Sequence, residues 1–579
     1  MTYATTADAA CSWLADLGDV PYVAVDTETA GRDPWTDALR LVQVSAGPTR
    51  PVLVVAADVV DPAVLAPLLG DRSVLKVFHH GAFDLRFLGR AGLEVNRVAD
   101  TMLAQQLLDA ASATPVGASL ALLADFRLGM ALDKDMRDDF ARRELTERHV
   151  RYAAEDAEAT WGVFDQQWRE LSGHGLVEVA RIEFGALPPL AGLQLRGVGL
   201  DVGAWEALVD DLQQRLPELS DDAQTALVSE DTPRTLFGPE PVNLDSPEQV
   251  LVALRRHGLE LESTRESVLR DHRDVPAVAA LLAYRQVAKI VGAWGGGWAR
   301  AAVHPVSGRI HADWRQIVGT GRIACSDPNL LQIPREARYR RCFRAGPGRT
   351  LVVADYGQQE LRILAAVSGD PALIDVFTSG RDLHRTTAAM VFDTDTDAVT
   401  PEQRKAAKAL NFGLLYGMGA AGFARSTGTS VAEAQETMDA WFAAFPQVAA
   451  WLARAEATGR RTGRVRTPLG RIRYLEQAQP TFARNAPIQG AGADMIKVAL
   501  AEVDERLRAV VGSRLDGSPL GLVLVVHDEI VAEVPAETAE QCRREVVEGM
   551  LAAARRVLGD VPAVVDAAVQ DTWGGQAPA

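Results

Sequence analysis

Apolar and polar residues alternate in short blocks along the first third of the chain. The runs YVAV (22–25), LRLVQVS (39–45), RPVLVV (50–55) and LKVF (75–78) predict strands, and helical periodicity around 85–91 and from Glu144 onward predicts helices between and after them. Such interleaving is the pattern of an α/β domain. A glycine-rich break, LSGHGL at 171–176, follows the helix expected through Trp168 and marks a boundary near residue 172. Helical patterning dominates next. In DSPEQVLVALRRHG (245–258), Asp245 or Ser246 can cap a helix, Pro247 suits its first turn and Gly258 stops it. GAWGGGW (292–298) interrupts periodicity where a continuous helix would be expected. Strands return at RTLVVADY (349–356) and GLVLVVHDEIVAEV (521–534), with a long helical block between them.

Composition narrows the class without naming a function. At 579 residues, with 47% hydrophobic and 24% charged side chains, the chain has room for several globular domains. Asp58 and Asp61 break the most apolar stretch, so no membrane passage is expected; the N-terminus has no signal-peptide pattern, and the cytoplasm is the default. Cys11, Cys325, Cys342 and Cys542 lack metal or disulfide spacing and read as reduced thiols. The net charge of −17 neither supports nor excludes nucleic acid, because phosphate is gripped by a local basic track. Two arginine groups, 335, 338, 340, 341 and 344, then 460, 461, 464, 466, 471 and 473, run against that global sign.

Three features carry chemistry. Asp355 ends an apolar strand, and Asp528 and Glu529 stand at the turn of a predicted hairpin. A lone acid in such a place is ordinarily a turn or cap residue, but if Asp355 and Asp528 meet, they could hold two Mg²⁺ ions about 3.5 to 4 Å apart for phosphoryl transfer. Arg404, Lys408, Phe412 and Tyr416 follow one another at intervals of four and should rise along one helical face about 18 Å long. Cations followed by aromatics suit a nucleoside triphosphate, although the bland reading is a solvated edge beside core aromatics. In the first domain, Asp26 and Glu28 share one side of a strand, Asp84 follows LKVF, and Tyr152 and Asp156 are helical neighbours. Together they could bind two Mg²⁺ ions, with Mn²⁺ as a substitute, and orient a water against a phosphodiester.

The later motifs resemble those of family A (DNA polymerase I type) DNA polymerases. DYGQQELR (355–362) looks like motif A, RKAAKALNFGLLYGM (404–418) like motif B and VHDE (526–529) like motif C, with TGRIACSDPNLLQIP, DLHR, TPLGRIR and RNAPIQGAGADMIK in family order. The resemblance implies metal-binding roles for Asp355, Asp528 and the Tyr356 carbonyl, with Glu529 as auxiliary acid. It places Gln358, His384, Arg404, Lys408, Phe412 and Tyr416 around a dNTP and Glu360 against the sugar 2′ position. Phe412 would discriminate against dideoxynucleotides, and Arg322, Asn485, Gln489 and His527 would contact primer or template. Gly357, Gln359 and Thr481 depart from the usual Ser, aliphatic and Arg.

The acids of residues 20–165 resemble DEDD-type 3′-5′ exonucleases with a tyrosine in the last motif, as in proofreading domains and RNase D, with His80 in place of a common Asn. The expected architecture is an RNase H-like exonuclease domain (1–172) followed by a right-hand polymerase domain (173–579): thumb about 180–300, palm about 301–375 and 476–579, fingers about 376–475. Expected partners are primer-template DNA and dNTPs, for a monomer without a 5′-3′ nuclease domain. The competing expectation is an RNase D-like nuclease whose C-terminal part only grips nucleic acid.

Overall fold

A computed structural model describes residues 1–133, 140–142, 144–475, 480–512 and 514–576. The expected start of the second palm segment falls on 476–479, outside the described residues. Strands β1 (Thr2–Ala4), β2 (Tyr22–Thr29), β3 (Leu39–Ser45), β4 (Leu53–Ala56), β5 (Leu75–Phe78) and β6 (Val98–Asp100) form one mixed sheet in the order β1-β4-β3-β2-β5-β6. β2 runs antiparallel to β3 and parallel to β5. Strands β3 and β4 are buried almost throughout, as their continuous apolar runs require of strands covered on both faces. The helix Glu147–Gly173 lies against β2 and β3 and runs five residues past Trp168.

The glycine break turns the chain at Gly175, where φ is 66°, into the junction helix Val177–Arg196. Its Val179, Ala180, Phe184 and Leu187 belong to the core of the first domain, while Ile182, Ala186, Leu190 and Leu193 belong to the core of the second. One helix therefore supplies both cores, and the chain break does not coincide with a break in packing.

The expected helix after Ser246 is present as Pro247–Arg256: the Ser246 side chain accepts from Gln249 N, and Gly258 takes a φ of 80°. The glycines of GAWGGGW interrupt the helix later than a reading from Gly292 suggests. The helix Pro276–Trp294 continues through Gly292, and the break falls at Gly295–Gly297 before the helix Trp298–Ala302. The bend brings Trp298 onto Trp294, with ring centroids 4.7 Å apart, and both onto Trp205. Trp205 is fully buried and also meets Tyr339 and Phe343. Trp205→Ala is expected to cost about 3–5 kcal/mol, read as a lower urea midpoint by a probe in this region.

Small ribbons come next: β7 (Arg234–Thr235) with β8 (Gly238–Pro239), and β9 (Asp313–Val318) with β10 (Arg322–Ser326). β11 (Arg349–Tyr356) is followed by the ribbon β12 (Arg464–Arg466) and β13 (Ile472–Tyr474), then β14 (Gly521–Val526), β15 (Glu529–Pro535) and β16 (Val565–Gln570). Strands β14-β15-β11-β16, in that order, make an antiparallel sheet backed by the helices Pro480–Val511 and Ala539–Leu558. All four cysteines are free thiols. Among the described residues no helix is long and apolar enough to cross a membrane.

Candidate active sites

In the first domain β2 carries Asp26 and Glu28 to the helix that bears Asp156. Their ligand oxygens all lie within 4.8 Å of one another. Burial, and then the charges of Asp84, Glu28 and Asp156, push the Asp26 carboxyl well above the usual carboxylate range. Acids so arranged repel one another unless a proton or cation is shared, and hard carboxylate oxygens suit a divalent cation. Tyr152 hydrogen-bonds Asp156, and burial with the Asp156, Glu28 and Asp26 charges raises its phenol. Asp84 lies outside that three-acid group, although its charge bears on Asp26 ahead of those of Glu28 and Asp156. The Thr27 hydroxyl donates to its Oδ1 at 2.6 Å, and burial pushes it up to about 7. Behind it lies an acid that the motif reading passed over. Asp100 is fully buried, accepts from Gly81 N at 2.6 Å and caps the next helix through Leu103 N; burial raises it to about 6. Its signal was present, since it ends β6 immediately before a helix.

The second site forms where β11 meets the β14–β15 hairpin. Asp355 pairs with Glu529 in register, and Tyr356 N donates to the Asp528 carbonyl at 3.3 Å. The Asp355 and Asp528 carboxyls hydrogen-bond each other; partial burial and then the Asp528 and Glu529 charges push Asp355 up to about 7, although part of the residue is exposed to solvent. Two carboxyls can share such a bond only with one proton between them, and a divalent cation would replace that proton with ligands already convergent. The Tyr356 ring is buried, its hydroxyl donating to Met550 O.

Glu529 is less available than its place in VHDE suggests. Trp573 Nε1 donates to its Oε1 at 2.6 Å, and Arg340, stacked on the Trp573 ring, pairs with it at 3.2 Å. Neither partner could be read from the sequence, because Trp573 lies in a different strand-end segment. Among the described residues six non-glycine residues have positive φ. Three of them, His80, Gln358 and His527, stand beside the acids of the two sites, where backbone strain aims side chains.

Gln358 leads into the helix Gln359–Ser368, which presents Glu360. Arg322 pairs with Glu360 Oε1 at 2.8 Å, and the Tyr416 hydroxyl donates to Oε2. Beneath them the Gln359 amide nitrogen is buried with no hydrogen-bond partner among the described residues. This is a polar atom where the resemblance leads one to expect an aliphatic. The four-residue ladder does not lie on one helix. Arg404, Lys408 and Phe412 occupy Pro401–Gly413, capped by Thr400 and Gln403, whereas Tyr416 lies in the turn beyond it. The chain leaves the helix because Gly417 adopts a φ of 76° and Met418 N returns to Gly413 O. That departure lets Tyr416 reach Glu360.

Arg404 pairs with Asp382 at 2.9 Å, while Lys408 is exposed and has no ion pair among the described residues. His384 is buried against Phe412 and bonded to Asn411; burial, and then the Arg404 charge, hold its imidazole down at about 4, so it is neutral at pH 7. Asn485 and Gln489 lie four apart on the long helix, and Asn485 Oδ1 is a buried acceptor with no partner among the described residues. His527 is exposed at the hairpin tip. Thr481 packs on Gly417. The arginine groups divide: Arg335, Arg341, Arg461 and Arg464 are exposed without ion pairs among the described residues, whereas Arg471 is buried between two acids and cannot line a groove.

Known proteins share the sequence pattern and the fold. Residues 213–575 match the model of DNA polymerase family A, and residues 1–172 that of a 3′-5′ exonuclease. DNA polymerase I of Pseudomonas aeruginosa is 33% identical over 97% of this chain, which spans 64% of that relative's length. DNA polymerase I of Aquifex aeolicus is 30% identical over 96% of both. The POL domain of Pol1 from M. smegmatis, in complex with DNA primer-template and dNTP, superimposes with a TM-score of 0.80 at 27% identity, covering 97% of this chain and 98% of that one. The chain belongs to DNA polymerase family A, with a 3′-5′ exonuclease domain ahead of its polymerase domain.

Proposed function

We propose that the chain extends a primer on a DNA template and hydrolyses mispaired 3′ ends in its first domain. The observation that carries the reading is the meeting of the Asp355 and Asp528 carboxyls, from strands far apart in sequence, with Glu360, bonded to Tyr416, on the helix that follows Asp355. The primer 3′-hydroxyl oxygen attacks the dNTP α-phosphorus, and pyrophosphate leaves. Asp355, Asp528 and the Tyr356 carbonyl would hold Mg²⁺, two ions per site and replaceable by Mn²⁺, as would Asp26, Glu28 and Asp156, with Asp84 in support. When bound, the metal neutralises charge on the phosphoryl oxygens.

The protein's own residues do the rest. Lys408 is free to meet phosphate, and Arg404 exchanges Asp382 for it. Neutral His384 and Phe412 wall the sugar, and Gln358 lies at its edge. Arg322, Asn485, Gln489 and His527 face primer or template, the orphaned Asn485 oxygen awaiting a donor. The M. smegmatis neighbour, which holds primer-template and dNTP, supports this assignment of partners.

A primed template offered each dNTP singly tests the reading. Extension only by the complementary nucleotide, dependent on Mg²⁺, is expected; 3′-end shortening without any extension would favour an RNase D-like nuclease instead. Glu360→Ala is expected to relax rejection of ribonucleotides by at least about tenfold, measured as the ratio of dNTP to rNTP insertion efficiencies.

A further inference from the structure

Four charged side chains lie buried together against the turn that precedes Arg322. Glu183 of the junction helix pairs with Lys497 Nζ at 2.6 Å and with Arg471, which also pairs with Asp494 at 2.6 Å. Their side chains are 5% exposed or less. Thr467 donates to Asp494, and Gln316 donates to Glu183. Burying charges is a poor route to stability, since apolar side chains of the same shape do as well or better, and a fully satisfied network is better suited to fixing geometry.

The geometry it fixes is the turn between β9 and β10. That turn contains Gly319 and Gly321, with φ of 47° and 92°, and two such glycines leave it intrinsically loose. Lys497 Nζ, held by Glu183, donates to the Gly321 carbonyl at 2.7 Å. Arg471 closes the other side: a Cβ on Gly321 would lie 2.8 Å from its Cδ and Nε. The next residue is Arg322, whose half-exposed guanidinium holds Glu360. An exposed ion pair has little energy of its own, so its geometry is set by where the backbone delivers the arginine.

We propose that the quartet Glu183, Arg471, Asp494 and Lys497 is a positioning device for sugar selection, acting through the Gly321 carbonyl on Arg322 and so on Glu360. The inference rests on the polymerase reading above. Lys497 is its central positioning residue. Because Glu183 shares its helix with residues of the first-domain core, the anchor belongs to both domains.

The test is single-nucleotide insertion by the full chain with Mg²⁺, comparing dNTP with rNTP for Lys497→Met, Arg322→Ala and the double variant; 3′-end hydrolysis of single-stranded DNA reports folding. Lys497→Met is expected to retain hydrolysis and lose about tenfold in the dNTP-over-rNTP ratio, with no further loss when Arg322 is already alanine, as for residues acting in one chain. An unchanged ratio, or losses that multiply in the double variant, would overturn the proposal. If Lys497→Met fails to fold, Gly321→Ala displaces the same turn by crowding Arg471 while keeping all four charged side chains: a lowered ratio supports the device, and an unchanged one removes it. No insertion by the unaltered protein would instead sink the polymerase reading, and this proposal with it.

Discussion

Asp528→Ala is expected to lower primer extension by about a thousandfold or more while 3′-end hydrolysis continues at its original rate. The size follows from the site. Asp528 and Asp355 converge within hydrogen-bond reach, so removing one takes away half of the side chains proposed to hold the divalent cation, and losing about 4 kcal/mol of transition-state stabilisation corresponds to roughly a thousandfold. The fold should survive, because Asp528 sits at a two-residue hairpin tip and not in the core. Asp355→Ala should behave alike, and the double variant should lose little more than either single one, as for residues that work as a unit. Extension that persists after Asp528→Ala would count against this site.

Asp26→Ala is expected to do the reverse, abolishing 3′-end hydrolysis by a similar factor with extension intact. Asp26 lies in the three-acid group with Glu28 and Asp156 and beside Asp84, so its loss breaks the group proposed to hold the cation. Misinserted ends should then persist, seen as slower removal of a 3′ mismatch before extension. Asp84→Ala distinguishes two roles for its carboxyl. Bonded to Thr27 and outside the three-acid group, it should cost less than Asp26→Ala if it only supports the site and as much if it is a ligand.

The motifs were legible because they obey local rules. Strand-end acids, i, i+2 spacing on β2, i, i+4 spacing of Tyr152 and Asp156, and the Ser246 cap depend on a few neighbouring residues each, and the structure keeps those local geometries. The ladder from Arg404 to Tyr416 failed at its last step for a local reason too, since Gly417 was a helix stop that the spacing outweighed. Arg471 read as part of a basic track because sequence gives charge but not burial, and its partners Glu183 and Asp494 lie on separate helices.

By itself, the sequence determined the element types, the chemical inventory and the resemblance, all of which follow from backbone periodicity and residue identity at short range. Tertiary structure alone decided which charges are spent and which remain free. It tied Glu529 to Trp573 and Arg340, buried the Glu183 quartet and gave the junction helix to two cores. The reason is physical: an ion pair or a hydrogen bond acts over a few ångströms in space, and the chain brings those atoms together from positions as much as 314 residues apart.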